Sequence, residues 1–184
     1  MAYPFKPHDP LASITEWLLS ASAEVGAEYF QLPVAGQEES EYRERVYCYE
    51  LYHRWRCQWT DDCHYSLGGE VDKSRHPIIR GNAKPDFLVH VPGRMDNLLV
   101  VEVKPGNAAV ARMTDDLMKL LAFRRKPANY VAAYFLVYGA SIAKWPALRK
   151  QLLSVAGANF DPSLVTCFIH EEPRARAQAV SWAP

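Results

Sequence analysis

The sequence predicts an α/β fold in which a mixed central sheet is flanked by helices. Short runs rich in β-branched and aromatic residues, typical of strands, occur at 85–91, 98–104, 130–138 and 164–170. Stretches with helical spacing of apolar residues separate the later runs. The chain has 184 residues, of which 49% are hydrophobic. That length and composition suffice for one buried core.

Two helices are predicted before the first strand. Residues 9–23 carry apolar side chains at helical spacing, and Asp9 followed by Pro10 is a suitable N-cap and first-turn pair. Residues 39–59 contain neither Gly nor Pro and are dense in aromatic residues. Aromatic side chains at helical spacing usually belong to the core, so we expect them there. Stacking on nucleic-acid bases is their other known role.

The middle of the chain predicts an antiparallel hairpin. A first strand is expected within 63–73, followed by a turn-rich stretch. Residues 85–91 alternate as a strand does, and 98–104 form a strongly β-prone run after a single turn, PGRMDN. Because apolar residues occupy most positions of 98–104, we expect this strand to be buried on both faces.

The second half of the chain predicts alternating helices and strands. Pro105 and Gly106 end the hairpin. The predicted elements after them are a helix over 108–125, a strand in the sheet centre over 130–138, a helix over 141–155 and a last strand over 164–170. The order of elements is therefore α, α, β, β, β, α, β, α, β.

Repeats and long linkers are absent, so we predict one domain over 1–184. Its parts are an N-terminal helical extension (1–38), a core (39–138) and a C-terminal helix and strand (139–184). No apolar run approaches the ~20 residues that span a bilayer. The N-terminus also lacks the basic start and apolar stretch of a secretory signal. A cytoplasmic protein without a membrane partner is the expectation.

The charge is unevenly distributed although its sum is zero. Residues 1–41 hold one base and seven acids (net −6), so residues 42–184 have a net charge of +6. A basic remainder is compatible with a ligand that has a phosphate backbone, and equally with an ordinary solvated surface. The acidic first segment could serve to form a homodimer or to dock a protein partner, and the sequence leaves both alternatives open.

The four cysteines are too few for a disulfide framework in a chain of this length. A zinc site is an alternative that rests on His53, Cys57, Cys63 and His64. Their spacing differs from the close pairs of ligands usual in structural zinc sites, and three of them fall on or near the aromatic helix. Core and surface roles are therefore favoured over zinc.

The polar residues of the hairpin carry the chemistry. Side chains alternate along a strand, so Glu102 and Lys104 share one face, and the hairpin brings Asp86 to their level. Charges placed in the interior need partners. A structural pair between Glu102 and Lys104 is one solution. The other is a hard cation held by Asp86 and Glu102, with Lys104 beside it as a compact positive charge.

These residues form the pattern PD-x15-EVK, which resembles the PD-(D/E)xK nuclease superfamily. The resemblance covers about 39–138 and implies a restriction-endonuclease-like αβββαβ core. It also implies that Asp86 and Glu102 bind Mg²⁺, that Val103 adds a backbone carbonyl and that Lys104 assists catalysis. Mn²⁺ is expected to substitute for Mg²⁺. The implied activity is hydrolysis of phosphodiester bonds in nucleic acid, with DNA as the expected substrate.

Three further residues are candidates for the site. Members of this superfamily often have a Glu on the first core helix, for which Glu50 is our candidate; its alternative is an exposed pair with Arg54. Glu70, on the strand before the hairpin, joins the site or pairs with a nearby base. Lys119 is on the helix after the hairpin. It either contacts the scissile phosphate, as a residue of that helix often does in the superfamily, or pairs with Asp116 on the surface.

A second hypothesis is a catalytically inactive module of the same fold that binds nucleic acid or a protein partner. The presence of Asp86, Glu102 and Lys104 together argues against it, because degenerate members usually lose at least one of them. The sequence contains no recognition helix, finger or basic arm that would identify DNA or RNA as the ligand.

Overall fold

The structure is a computed structural model that describes residues 9–69 and 84–184. In chain order its helices and strands are α1 (Pro10–Ser22), α2 (Ala27–Phe30), β1 (Gln31–Leu32), β2 (Glu41–Tyr42), α3 (Glu44–Arg56), β3 (Ser66–Gly69), β4 (Phe87–His90), β5 (Asn97–Pro105), α4 (Val110–Arg124), β6 (Ala132–Tyr138), α5 (Trp145–Ala156), β7 (Thr166–His170) and β8 (Gln178–Val180).

Strands β3 to β8 form one six-stranded mixed sheet in which sequence order is also spatial order. The β3, β4 and β5 strands pair antiparallel, β5, β6 and β7 pair parallel, and β8 returns antiparallel to β7. Each of the two parallel connections passes through a helix, α4 or α5, as a parallel crossover requires. The predicted mixed sheet flanked by helices is confirmed.

Two apolar layers enclose this sheet. On one face, α1 to α3 cover a cluster that includes Ile14, Leu51 and Val101. On the other face, α4 and α5 cover a cluster that includes Leu117 and Phe135. Because both faces are covered, all seven residues of β6 and the first seven of β5 are buried. The predicted burial of these two strands is confirmed.

The predicted hairpin is also confirmed. Strands β4 and β5 pair antiparallel, with Phe87 opposite Val101 and Leu88 opposite Val100. A β-bulge between Val89 and His90 shifts the register near the turn. The strand predicted within 63–73 begins at Ser66, and its part beyond residue 69 lies outside the described residues.

The structure differs from the prediction mainly in short elements, and α2 and β1 were not predicted. The second long helix was expected to begin at residue 39, but α3 begins at Glu44 because Glu41 and Tyr42 pair with β1 as a short strand. The strand over 164–170 was expected to be the last one. Strand β8 follows it, and at three residues it is too short to show a period of its own. Within the described ranges, no helix is both long and apolar enough to cross a bilayer.

Candidate functional site

The hairpin register joins the two sequence motifs. Since Phe87 lies opposite Val101, the same register carried one residue further places Asp86 opposite Glu102. The backbone N–H of Val103 donates a hydrogen bond of 2.7 Å to Asp86 Oδ2. Burial raises the pKa of Asp86 from 3.8 to about 6, an effect that this hydrogen bond opposes. The protein thus holds a half-buried carboxyl group beside the end of β5.

Glu102 is almost fully buried on the face of β5 that α4 covers, with 1% of its surface exposed. Burial, and then the nearby charge of Asp86, raise its pKa well above the ordinary value. Lys119 Nζ lies 2.9 Å from Glu102 Oε1, which makes an ion pair. Apart from this ion pair, the oxygen has no hydrogen-bond partner among the described residues. Glu102 therefore keeps a buried oxygen with one ionic contact and room to bind a further ligand.

Lys104 lies two residues further along β5, and three acceptors surround its ammonium group. Lys104 Nζ is 2.9 Å from Glu44 Oε2, 3.1 Å from Asp116 Oδ2 and 3.1 Å from the carbonyl oxygen of Val103. Burial by itself lowers the pKa of Lys104, but the charges of Asp116 and Glu44 outweigh it and raise that pKa. The side chain is therefore a fixed cation at the end of the strand.

Asp116 connects the two lysines. Its Oδ1 is 2.8 Å from Lys119 Nζ and its Oδ2 is 3.1 Å from Lys104 Nζ, and only 7% of the residue is exposed. The expected pair of Asp116 with Lys119 is present, but it is buried against Glu102 instead of lying on the surface. A bridging carboxylate of this kind fixes both ammonium groups relative to β5.

Six side chains thus meet where β4 begins and β5 ends, and we call them the carboxylate–lysine cluster: Glu44, Asp86, Glu102, Lys104, Asp116 and Lys119. With all six ionised, four carboxylates and two ammonium groups leave a formal charge of −2. A cavity of about 490 Å³ opens beside the cluster, lined by Glu44 and Asp86 together with Arg45, Cys48 and Lys84. Two carboxylates and two basic side chains therefore share the wall of this cavity.

The oxygen ligands that the cluster offers suit a hard divalent cation. Asp86, Glu102 and the carbonyl of Val103 offer oxygen ligands, and Glu102 Oε1 lacks a hydrogen-bond donor within the described ranges. Those ranges contain no group of three His, Cys, Asp or Glu side chains that would hold an ion unaided. Mg²⁺ typically retains several waters and needs only one or two carboxylates, so two side chains and a carbonyl are compatible with it.

Among the residues predicted from sequence, the structure brings Asp86, Glu102, Val103, Lys104 and Lys119 together. It does not bring Glu50 to the cluster. Glu50 Oε1 accepts a hydrogen bond of 2.6 Å from Arg54 Nε, which is the alternative that the sequence left open, although Glu50 is 8% exposed and the pair is therefore half-buried. Glu70 lies outside the described residues.

The carboxylate that α3 does contribute is Glu44, which the sequence analysis did not select. Six residues of an α-helix turn by about 600°, so Glu44 and Glu50 point roughly 120° apart. Glu44 shares a stripe with Cys48, Leu51 and Trp55, which face the sheet. A charged residue that continues an apolar stripe was the available signal.

Asp116 carried the same signal, because it lies between Met113 and Leu117 in the buried stripe of α4.

The residues considered as zinc ligands do not form a metal site. Cys57 is exposed and its sulfur lies 4.0 Å from His53 Nε2, and these two residues, Cys63 and His64 are not among any group able to hold a metal in the described ranges.

We found no match between this chain and a protein-family model, a curated protein sequence or a solved structure.

Proposed function

We propose that the protein is a Mg²⁺-dependent nuclease that hydrolyses phosphodiester bonds of nucleic acid, with DNA as the expected substrate. The observation that carries the proposal is the buried Glu102 oxygen beside Asp86, and Asp86 itself lines a cavity that also has basic residues. The order α3, β3, β4, β5, α4, β6 supports a restriction-endonuclease-like core of the PD-(D/E)xK type.

Asp86, Glu102 and the carbonyl oxygen of Val103 would hold the ion. Bound Mg²⁺ would supply an activated water and neutralise charge that develops on phosphate. Burial raises the pKa values of both Asp86 and Glu102, and a neighbouring carboxylate adds to each effect, Glu44 to that of Asp86 and Asp86 to that of Glu102. Both groups therefore have more to gain from a cation than a solvated carboxylate has.

Lys104 supplies a positive charge for the phosphate oxygens. Glu44 and Asp116 hold its ammonium group at the end of β5, so it needs little reorganisation when substrate binds. Hydrolysis forms a bond from water oxygen to phosphorus and breaks one P–O bond, and the leaving alkoxide takes up a proton. A fixed ammonium group stabilises the charge that builds on the phosphate during this exchange.

The test is incubation of the purified protein with single- and double-stranded DNA and RNA. We expect fragments with Mg²⁺ or Mn²⁺ and none with EDTA. Glu102→Gln should abolish cleavage, because it removes a ligand charge while retaining the shape of the side chain. Glu16→Gln is the control, since Glu16 pairs with Arg176 on the surface, outside the cluster. Full activity of the Glu102→Gln protein would refute the proposal.

An inactive binding module is the second candidate, and one observation favours it: both lysines of the cluster are already paired with carboxylates. Such a module would bind nucleic acid or a protein partner without cleaving nucleic acid. Calorimetric titration with Mn²⁺ separates the two functions. A nuclease should release or absorb heat on Mn²⁺ binding that Glu102→Gln abolishes, whereas a module without a metal site should give none.

A further inference from the structure

Two cavities meet at Asp86. The mixed-charge cavity, of about 490 Å³, has Arg45 and Lys84 in its wall together with Glu44 and Asp86. The aromatic cavity, of about 340 Å³, is lined chiefly by Tyr49, Tyr52 and Phe87. Both are also lined by Cys48 and Asp86, so they form one groove over α3 and the start of β4. The proposed metal-binding carboxyl group of Asp86 lies at the junction of a mixed-charge and an aromatic compartment.

The aromatic cavity combines core rings with one ring that is largely exposed. Tyr47 and Trp55 of α3 are fully buried, but Tyr49 is 60% exposed. Tyr49 and Tyr52 are three residues apart, so they lie on neighbouring positions of one helix face. The Tyr52 ring stacks on Phe87 with centroids 6.4 Å apart and an interplanar angle of 19°, which fixes its orientation. The cavity therefore combines a fixed ring with an exposed one.

We propose that the aromatic cavity binds the base of a nucleotide adjacent to the scissile phosphate, so that the substrate is nucleic acid with an unpaired base at that position. The inference rests on the proposed nuclease function. A tyrosine stacks on the face of a base, and in a duplex the neighbouring base pairs cover both faces. A single strand, or the unpaired end of a duplex, exposes them. Stacking of this kind tolerates any base.

The other compartment fits the same ligand. A strand whose base occupies the aromatic cavity would carry its phosphates past Asp86 into the mixed-charge cavity, where Arg45 and Lys84 contribute positive charge beside the proposed cation site. Single-strand binders combine a positive groove for the backbone with aromatic platforms for the bases. The size of the aromatic cavity is in the range of small-molecule sites, about 300 to 1,000 Å³. The groove thus offers an aromatic surface for a base and two cationic side chains, next to carboxylates, for its phosphates.

The inference is tested by binding, separately from cleavage. The probe is a short fluorescein-labelled oligothymidylate, alone or annealed to oligoadenylate, with Ca²⁺ in place of Mg²⁺, and the readout is fluorescence anisotropy. We expect the single strand to bind more tightly than the duplex. Tyr49→Ala should weaken single-strand binding about tenfold, because it removes one stacking platform. Tyr49→Phe should bind like the wild type, because the ring remains.

Met95→Ala is the matched control. Met95 is 52% exposed and lies in the β4–β5 turn, at the end of the hairpin opposite Asp86, so its truncation should leave binding unchanged. Circular dichroism of each variant verifies the fold. Equal single-strand affinities of the wild type and Tyr49→Ala would overturn the inference, as would a preference for the duplex.

The outcomes also separate this inference from the proposed function. If single-strand binding depends on Tyr49 but no cleavage occurs with Mg²⁺, the base site stands and the nuclease proposal fails. If cleavage requires Glu102 but is the same for Tyr49→Ala and prefers the duplex, the nuclease proposal stands and the base site fails.

Discussion

Val103 donates its backbone N–H to Asp86 Oδ2 over 2.7 Å, and this hydrogen bond ties the two halves of the proposed site together. On the other side of the same residue, its carbonyl oxygen accepts a hydrogen bond of 3.1 Å from Lys104 Nζ. One backbone residue of β5 thus orients both the carboxyl group that opens β4 and the ammonium group that ends β5. A strand paired on both sides is a rigid support, which the positioning of reacting groups requires.

The first prediction concerns the carboxylate that α3 contributes. Glu44→Gln should lower the rate of cleavage by roughly 10- to 100-fold, because Lys104 loses one of its two carboxylate partners. Glu50→Gln should change it less than about twofold, since Glu50 pairs with Arg54 away from the cluster. Rates measured under single-turnover conditions on one labelled substrate decide the matter. If Glu50→Gln lowered the cleavage rate more than Glu44→Gln does, Glu50 and not Glu44 would be the carboxylate of α3 that acts at the site.

The second prediction concerns the buried bridge at Asp116. Asp116→Asn should destabilise the protein by about 3 kcal/mol, because both Lys104 and Lys119 then lose a charged partner in a buried setting. Chemical denaturation of Asp116→Asn, Lys119→Gln and the double variant measures how strongly the two residues are coupled. We expect a coupling free energy of about 1 to 3 kcal/mol. Strictly additive effects would mean that Asp116 and Lys119 are not coupled and that their ion pair contributes nothing to stability.

The third prediction concerns pH and Mg²⁺. The folded-state pKa of Asp86 is raised from 3.8 to about 6, so its contribution to stability is fully present below 3.8 and is lost as the pH rises through about 6. The loss is at most about 3 kcal/mol, and partial exposure reduces it. Mg²⁺ binds the charged form and should therefore raise the Tm of the wild type above pH 6.

Asp86→Asn is the matched variant for this experiment. It cannot ionise, so its Tm should lack the gain on acidification that Asp86 gives the wild type, and Mg²⁺ should raise it less. Thermal melts with EDTA or with excess Mg²⁺ measure both effects. An equal response of the two proteins to Mg²⁺ at pH 7 would contradict a role for Asp86 in ion binding.

The fourth prediction concerns His170, which is fully buried among aromatic rings and accepts or donates a 2.7 Å hydrogen bond through Nδ1 with the hydroxyl of Tyr47. Burial lowers its pKa from 6.5 to about 4. The stability it contributes is present above pH 6.5 and is lost as the pH falls through 4, because the unfolded chain binds a proton first. His170→Gln should therefore be less sensitive to acid than the wild type, measured by urea denaturation at several pH values.

The two titrations act in opposite directions between pH 6.5 and 4, which makes the variants informative as a pair. Lowering the pH favours folding through Asp86 and disfavours it through His170. Asp86→Asn should therefore make the protein more sensitive to acid, and His170→Gln less. The same pH profile for both variants would show that neither residue governs the acid response.

The strands at the sheet centre could be predicted because their signal is local. Residues 98–104 and 130–138 are nearly all apolar, and a short apolar run of this kind fits a strand covered on both faces. The hairpin followed from one turn between two such runs, and its register placed Asp86 level with Glu102. Strand β8 and the start of α3 could not be predicted from the sequence. Strands of two or three residues form because a neighbouring strand pairs with them, and local sequence does not show that pairing.

The partners of Lys104 could not be predicted, because they come from helices on both sides of the sheet. Glu44 lies 60 residues before Lys104 in the chain and Asp116 lies 12 after it. Which carboxylate of α3 reaches the site depends on the rotation of that helix about its axis. That rotation is set by the packing of Tyr47, Leu51 and Trp55 against the sheet.

By itself, the sequence determined the order of the central elements and the meeting of Asp86, Glu102 and Lys104, because alternation along a strand and pairing across a short turn are local rules. Only the tertiary structure decided that Glu44 and Asp116 hold the lysine and that Glu50 does not. It also decided that Tyr49 is exposed beside Asp86 whereas Tyr47, on the same helix, is buried. The physical reason is that helix packing against the sheet, a sum of many distant contacts, selects which face of each helix meets the site.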